Sequence, residues 1–184
     1  MCENNYAFID GNNLYLGAKN QGISVDYRKL RLYLKNKLRV RRALIFVGYD
    51  KSRKKMYAML ERCGFELVFK PAVFYTDKSG IRTMKGNVDA ELVLYSAAVE
   101  FDKYDKAVVI TGDGDFACLM RYLSEHNKLA KIITPTANFS LLLRPYIANI
   151  LPICKIKDKI MRKKSTSLTA GTVAAHSRSV ETLG

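Results

Sequence analysis

Histidine is scarce in this chain: two residues in 184, His126 and His176. His126 closes a helical pattern and His176 stands in a Ser/Thr-rich tail, so a Ser-His-Asp or Cys-His mechanism has no base. The four cysteines, Cys2, Cys63, Cys118 and Cys154, are scattered with no Cys-x-x-Cys pair. That argues against zinc ligation and a disulfide framework, and predicts buried, reduced thiols in a cytoplasmic protein. No apolar run has membrane-spanning length, and Met1-Cys2-Glu3-Asn4-Asn5 lacks the basic-then-apolar order of a signal peptide. The expectation is a protein with no membrane partner. No Gly-x-x-x-x-Gly-Lys-Ser/Thr loop and no Gly-x-Gly-x-x-Gly occurs, so a nucleotide-binding switch domain would lack its phosphate cradle. There is no internal repeat.

Acids are scarce as well, 17 against 31 Lys and Arg, for a formal net charge of +14. Such an excess favours a polyanion, either nucleic acid or an acidic membrane surface. It is densest between Arg28 and Lys55, where twelve basic residues meet one acid, Asp50. Solvated faces normally mix signs, so this stretch reads as a phosphate-facing surface, with Arg39, Arg41 and Arg42 as candidate substrate phosphate contacts.

The most informative stretch runs from Lys106 to Phe116, Lys-Ala-Val-Val-Ile-Thr-Gly-Asp-Gly-Asp-Phe. Ala107 to Ile110 read as a strand buried on both faces. Asp113 and Asp115 follow it on a turn into a helical pattern, Phe116, Leu119, Met120, Leu123. Ligands of open α/β sheets bind at such carboxyl ends. Asp115 alone would suit the helix N-cap. A second acid flanked by glycines asks for more, and Gly112 and Gly114 leave room for a substrate or metal against the backbone.

Elsewhere, Tyr6 to Ile9 form a short strand ending in Asp10-Gly11-Asn12-Asn13, which is also good turn chemistry. Tyr27, Leu30, Leu34 and Leu38 share a helical face capped by Asp26. Ala43 to Val47 is a second strand, Ser52 to Cys63 a helix closed by Gly64, and Glu66 to Phe69 a third strand. Val73-Phe74-Tyr75 and a loop from Thr76 to Gly80 precede Lys85-Gly86-Asn87-Val88-Asp89-Ala90-Glu91-Leu92, where a helix begins. Its first turn suits Asp89, whereas Lys85 has the wrong sign for a helix start and is read as an anion contact. Leu92, Tyr95, Ser96 and Val99 should face the sheet. Tyr75 is the one aromatic considered for base stacking, with core packing the commoner role. A helix to about His126, a strand at Ala130 to Ile133, a short helix near Phe139 to Ile147 and an edge strand near Ile150 to Ile156, broken by Pro152, complete the pattern.

This alternation predicts an α/β fold with a mainly parallel sheet. The domain spans residues 1–156. Residues 157–184 form a basic, Ser/Thr-rich tail of disordered composition. Asp10, Asp89, Asp113 and Asp115 would gather at one rim if the strands before Asp10 and Asp113 are neighbours. Carboxylates at close quarters repel, and a hard cation, Mg2+ or Mn2+, relieves that and can activate water at a phosphodiester.

Phe8-Ile9-Asp10-Gly11-Asn12-Asn13-Leu14, the motif from Lys85 to Leu92, and Thr111-Gly112-Asp113-Gly114-Asp115-Phe116 together resemble the three signatures of the NYN domain, LabA-like branch, in the PIN-like nuclease superfamily. The resemblance covers about residues 5–156. It implies a three-layer α/β/α sandwich with strand order 3-2-1-4-5, and a divalent-metal ribonuclease using one or two ions. Asp10, Asp89, Asp113 and Asp115 match the acidic positions, expected to be catalytic and to hold the metal, and Asn13 matches the motif asparagine, expected on substrate. One position departs: a further acid often stands six residues after Asp89, and here it is Tyr95.

The main alternative keeps the fold as an RNA-binding or regulatory module without cleavage. A haloacid-dehalogenase-type phosphatase ranks low, because its general acid would fall on Asn12. RNA target, cleavage pattern and oligomeric state, a homodimer included, stay open.

Overall fold

The computed structural model describes residues 3–71, 73–76, 82–85 and 88–162; for 71–76 and 82–85 it describes the backbone alone. Strand β1 (Asn5–Asp10) passes without a loop into helix α1 (Gly11–Asn20). Helix α2 (Tyr27–Leu38) leads to β2 (Val40–Tyr49), and α3 (Lys54–Arg62) to β3 (Glu66–Pro71). An antiparallel ribbon, β4 (Val73–Thr76) and β5 (Arg82–Lys85), precedes α4 (Asp89–Leu94). Then come β6 (Ala107–Ile110), α5 (Ala117–Glu125), β7 (Leu129–Thr134), β8 (Ile150–Pro152) and the one-turn α6 (Lys157–Ile160).

Six strands form one parallel sheet in the order β3-β2-β1-β6-β7-β8. With the ribbon set aside, that is the expected 3-2-1-4-5 plus an added edge strand, β8, which carries Pro152. Alternation along the strands splits the core in two. Ala7, Ile9, Ile45, Val108 and Ile110 pack on one face with Leu14, Leu30, Leu34, Leu60 and Ile160 from α1, α2, α3 and α6. Phe8, Leu44, Phe46 and Val109 pack on the other with Leu92, Leu119 and Leu123 from α4 and α5. The three-layer sandwich follows, since a strand apolar on both faces must be covered twice.

Several local expectations are corrected. Asp10-Gly11-Asn12-Asn13, good turn chemistry, forms the N-cap and first turn of α1, a helix the pattern does not predict because it buries only Leu14 and Ala18. Lys85 ends β5 and does not open a helix, because Val88 holds the cap position of α4. Val99 is 44% exposed, because Tyr95–Val99 form a π turn whose extra residue brings Glu100 inward instead. The expected helix near Phe139 is a 3₁₀ stretch, Leu141–Asn149, broken around Pro145 and Tyr146.

The chain past residue 156 is not all tail. Asp26 N–H donates to Ile160 O (2.8 Å), Arg162 N–H donates to Ser24 O (3.1 Å), and Ile160 is fully buried. The folded unit therefore reaches Arg162. The rest of the tail, the Asp77 to Gly80 loop and the side chains of Tyr75 and Lys85 lie outside the described residues. Of the cysteines expected to be buried, Cys63 and Cys154 are half-buried, whereas Cys118 is exposed on the outer face of α5; all three are free. Among the described residues no helix is long and apolar enough to cross a membrane.

Candidate metal centre

Asp10 is the last residue of β1 and the N-cap of α1. Its Oδ1 accepts from Asn12 N–H (3.1 Å) and Asn13 N–H (3.0 Å). Both bonds fall on one oxygen, so Oδ2 has no protein donor among the described residues. The residue is 7% exposed. Burial pushes its carboxyl above the ordinary range; the bonds from Asn13 and Asn12 oppose this, and the charges of Asp89 and Asp113 add to it.

Strand β6 lies beside β1 with Ile9 opposite Ile110, which carries the loop after β6 to the same rim. Asn13 fixes that loop, since its Oδ1 accepts from Gly112 N–H at 2.9 Å. The sequence reading places Asn13 on substrate; the structure gives its carbonyl a positioning contact. Asp113 Oδ1 accepts from Asp115 N–H (3.0 Å) and caps the 3₁₀ turn Gly114–Phe116. The cap is thus Asp113 and not Asp115, which is exposed. Gly114 is required by the chain's own packing rather than by a ligand: a Cβ there would overlap Ser140 and come within 3.1 Å of Leu142. Gly112, by contrast, would have room for one. Asp89 enters from the first turn of α4.

Asp10, Asp89, Asp113 and Asp115, drawn from three separate segments, line one cleft of ≈ 620 Å³. Its described lining contains no Lys or Arg. No three Asp, Glu, His or Cys side chains among the described residues stand close enough to cage a metal unaided. The donor set among the described residues is nevertheless all carboxylate, amide and hydroxyl oxygen. That fits a hard cation such as Mg2+, which is commonly held by one or two carboxylates and keeps several waters.

The arginines are elsewhere. In the pairing of β1 with β2, Tyr6 faces Arg42 whereas Asp10 faces Phe46, so Arg39, Arg41 and Arg42 lie at the opposite end of the sheet. Arg42 is not a free phosphate contact. Its guanidinium donates to both Glu66 oxygens (2.8 and 2.6 Å) and to Glu100 Oε2 (2.8 Å), and sits 5.0 Å from the Tyr6 ring centroid. Arg39 reaches Glu3 only at 4.0 Å, and Arg41 is exposed. Tyr95, at the position of the family's further acid, packs edge-on against Phe46 at 5.6 Å.

Sequence reasoning missed Asn12, Leu16 and Asn20, which line the cleft together with Gly17. Their spacing of four is one helical face, and the signal existed once α1 was recognised. It also missed Thr136 and Asn138, in the loop at the carboxyl end of β7.

The model of the NYN domain family matches residues 6–145. The chain belongs to the NYN family. NYN domains are nuclease-like members of the PIN-like superfamily, and the matched region holds all four aspartates. The crystal structure of a protein of unknown function from Vibrio parahaemolyticus is similar in fold, with a TM-score of 0.65 and 22% identity. The likeness covers 88% of this chain and 98% of that one. A search of curated proteins gives no match.

Proposed function

We propose that this NYN domain, of the LabA-like branch, is a divalent-metal-dependent nuclease that hydrolyses phosphodiester bonds of single-stranded RNA in the cytoplasm. One observation carries the reading: four carboxylates line a cleft without a lysine or arginine in its described lining, inside a protein of net charge +14. The surface attracts a polyanion, and the cleft repels it unless a cation intervenes.

Asp10, Asp89 and Asp113 would hold Mg2+ or Mn2+, one ion or two, with Asp115 at the exposed side of the cleft. Bound there, the ion supplies neutralisation of phosphodiester charge and a water made acidic enough to attack. The chain itself supplies position. Asp10 is fixed by two backbone donors, and Asn13 holds the Gly112 loop so that Asp113 stays beside it. Lys85, at the end of β5 just ahead of Val88, is retained as the proposed phosphate contact outside the carboxylates.

The deciding variant is Asp113→Asn, assayed with labelled single-stranded RNA and Mn2+. We expect cleavage to fall by at least roughly 100-fold, about 2.7 kcal/mol of transition-state stabilisation, with RNA affinity retained. Cleavage that persists in EDTA, or full activity in both Asp113→Asn and Asp10→Asn, would end the nuclease reading. A second reading, an RNA-binding module without turnover, is favoured by Tyr95 on Phe46, at the position of the further acid. It predicts RNA binding and no cleavage by the unaltered chain, with or without Mn2+.

A further inference from the structure

Helix α1 is a ridge between two depressions. On one side is the carboxylate cleft. On the other is a pocket of ≈ 310 Å³ whose walls include Asn12, Tyr15, Tyr27, Val47, Arg53 and Met56. Asn12 lines both, so the two join over the first turn of α1. We propose that this second pocket is a nucleobase subsite, taking the base of a nucleotide next to the phosphodiester in the cleft; the identity of the polymer rests on the nuclease reading.

Size, lining and charge all support this. The volume lies at the small end of ligand pockets, about 300–1,000 Å³. The walls are apolar and aromatic with few polar groups, and they contain no carboxylate, so an anionic nucleotide meets none of the repulsion of the cleft. Tyr15 is 51% exposed, and the Lys19 ammonium lies 5.9 Å from its ring centroid. A ring so placed offers a stacking face to any base. The Arg53 side chain is 49% exposed and contacts Asp50 through Nε at 3.2 Å. Its planar guanidinium can stack or donate to phosphate. The Asn12 side-chain amide has no hydrogen-bond partner among the described residues, although its backbone N–H is held by Asp10. It carries both donors and an acceptor, which suits the edge of a base. An open aromatic ring, an unused amide and a half-exposed guanidinium around an apolar floor are more than a packing gap between α1 and α3 requires.

The chain contains no tryptophan, so Tyr15→Trp places a single reporter on the pocket wall while keeping an aromatic face. In EDTA, where no turnover occurs, its emission is expected to fall on adding a single-stranded oligoribonucleotide. It should stay unchanged with an abasic oligomer of equal length that still binds by anisotropy. Tyr15→Ala should weaken oligonucleotide affinity roughly 5- to 100-fold, the loss of one base–aromatic stack, and Tyr15→Phe should restore it. Equal quenching by the abasic oligomer, or unchanged affinity in Tyr15→Ala, overturns the subsite. The outcomes separate from those of the nuclease reading. Base-dependent quenching without Mn2+-dependent cleavage supports the subsite and sinks the nuclease, and cleavage without quenching does the reverse.

Discussion

Asp10 combines two roles whose electrostatics conflict. As N-cap of α1 its carboxylate is well placed, while burial beside Asp89 and Asp113 disfavours the same charge. Asparagine keeps the cap acceptor and removes the charge. Asp10→Asn should therefore melt at a higher temperature than the unaltered chain in EDTA, and gain less from added Mn2+. A lower melting temperature in EDTA would show that the carboxylate stabilises the fold on balance. Arg42 is the counterexample, a charge that is satisfied. Replacing it by Ala leaves Glu100, whose side chain is 7% exposed, with the Lys103 ammonium at 3.4 Å in place of two cations, and should cost about 1–3 kcal/mol. Glu66 gives this cluster a pH signature. Hydrogen bonds from Arg42 hold its carboxyl below the ordinary glutamate value of 4.5, so its stabilisation is complete above 4.5 and is lost as pH falls through the folded value. The pair is partly exposed and its worth small, below about 1 kcal/mol. In urea unfolding, Glu66→Gln should be less stable than the unaltered chain at neutral pH, and the gap should close on acidification below 4.5.

Among the elements, the loop after β6 and the 3₁₀ stretch after β7 act as one unit. Ser140 N–H donates to Gly112 O (3.1 Å), and the Ser140 side chain occupies the space beside Gly114. Gly114→Ala should destabilise by about 1–3 kcal/mol through overpacking. Ser140→Gly removes the side chain that the new Cβ would strike, so the two changes together should cost less than their sum. A double-mutant cycle in urea measures this, and additive energies would contradict it. This contact also shows where reading the sequence reached its limit. Gly-Asp-Gly-Asp announced a site, and one of its two glycines answers to a serine 26 residues on. Helix α1 was illegible for a different reason: only Leu14 and Ala18 are buried. The remaining positions face two depressions, so the apolar period that betrays most helices is missing.

Across the whole molecule the charge excess and the carboxylates are segregated. Arg42 and Phe46, opposite Tyr6 and Asp10, are four residues apart on β2, about 13 Å along the strand. On the proposed function, phosphates held by Arg39 and Arg41 would differ from one in the cleft, and only RNA long enough to reach both ends would engage them. Replacing both arginines by Ala should flatten log affinity against log salt by about 1.4 for a long single strand, two contacts at about 0.7 each. For a dinucleotide the slope should not change, since at about 3.4 Å per stacked nucleotide it cannot span that distance. An unchanged slope with long RNA would place the strand on another part of the basic surface.

The sequence alone determined what depends on neighbours in the chain. Runs such as Ala107 to Ile110 specify doubly covered strands, helical spacing specifies α2 and α5, and acids directly after such strands mark the rim where the candidate site lies. Composition fixed the sign of the surface charge. Tertiary structure decided which of these features meet. Asn13 and Gly112, 99 residues apart, are joined by the pairing of β1 with β6, and the same pairing sets Asp10 beside Asp113. The twelve-to-one basic run looked uniform until β3 and the π turn brought Glu66 and Glu100 to Arg42 and left Arg39 and Arg41 in solvent. Local pattern carries the periodicity of burial, because burial repeats with the geometry of one element. It does not carry the partner of a charge, because that partner arrives from another element at a register set by the whole sheet.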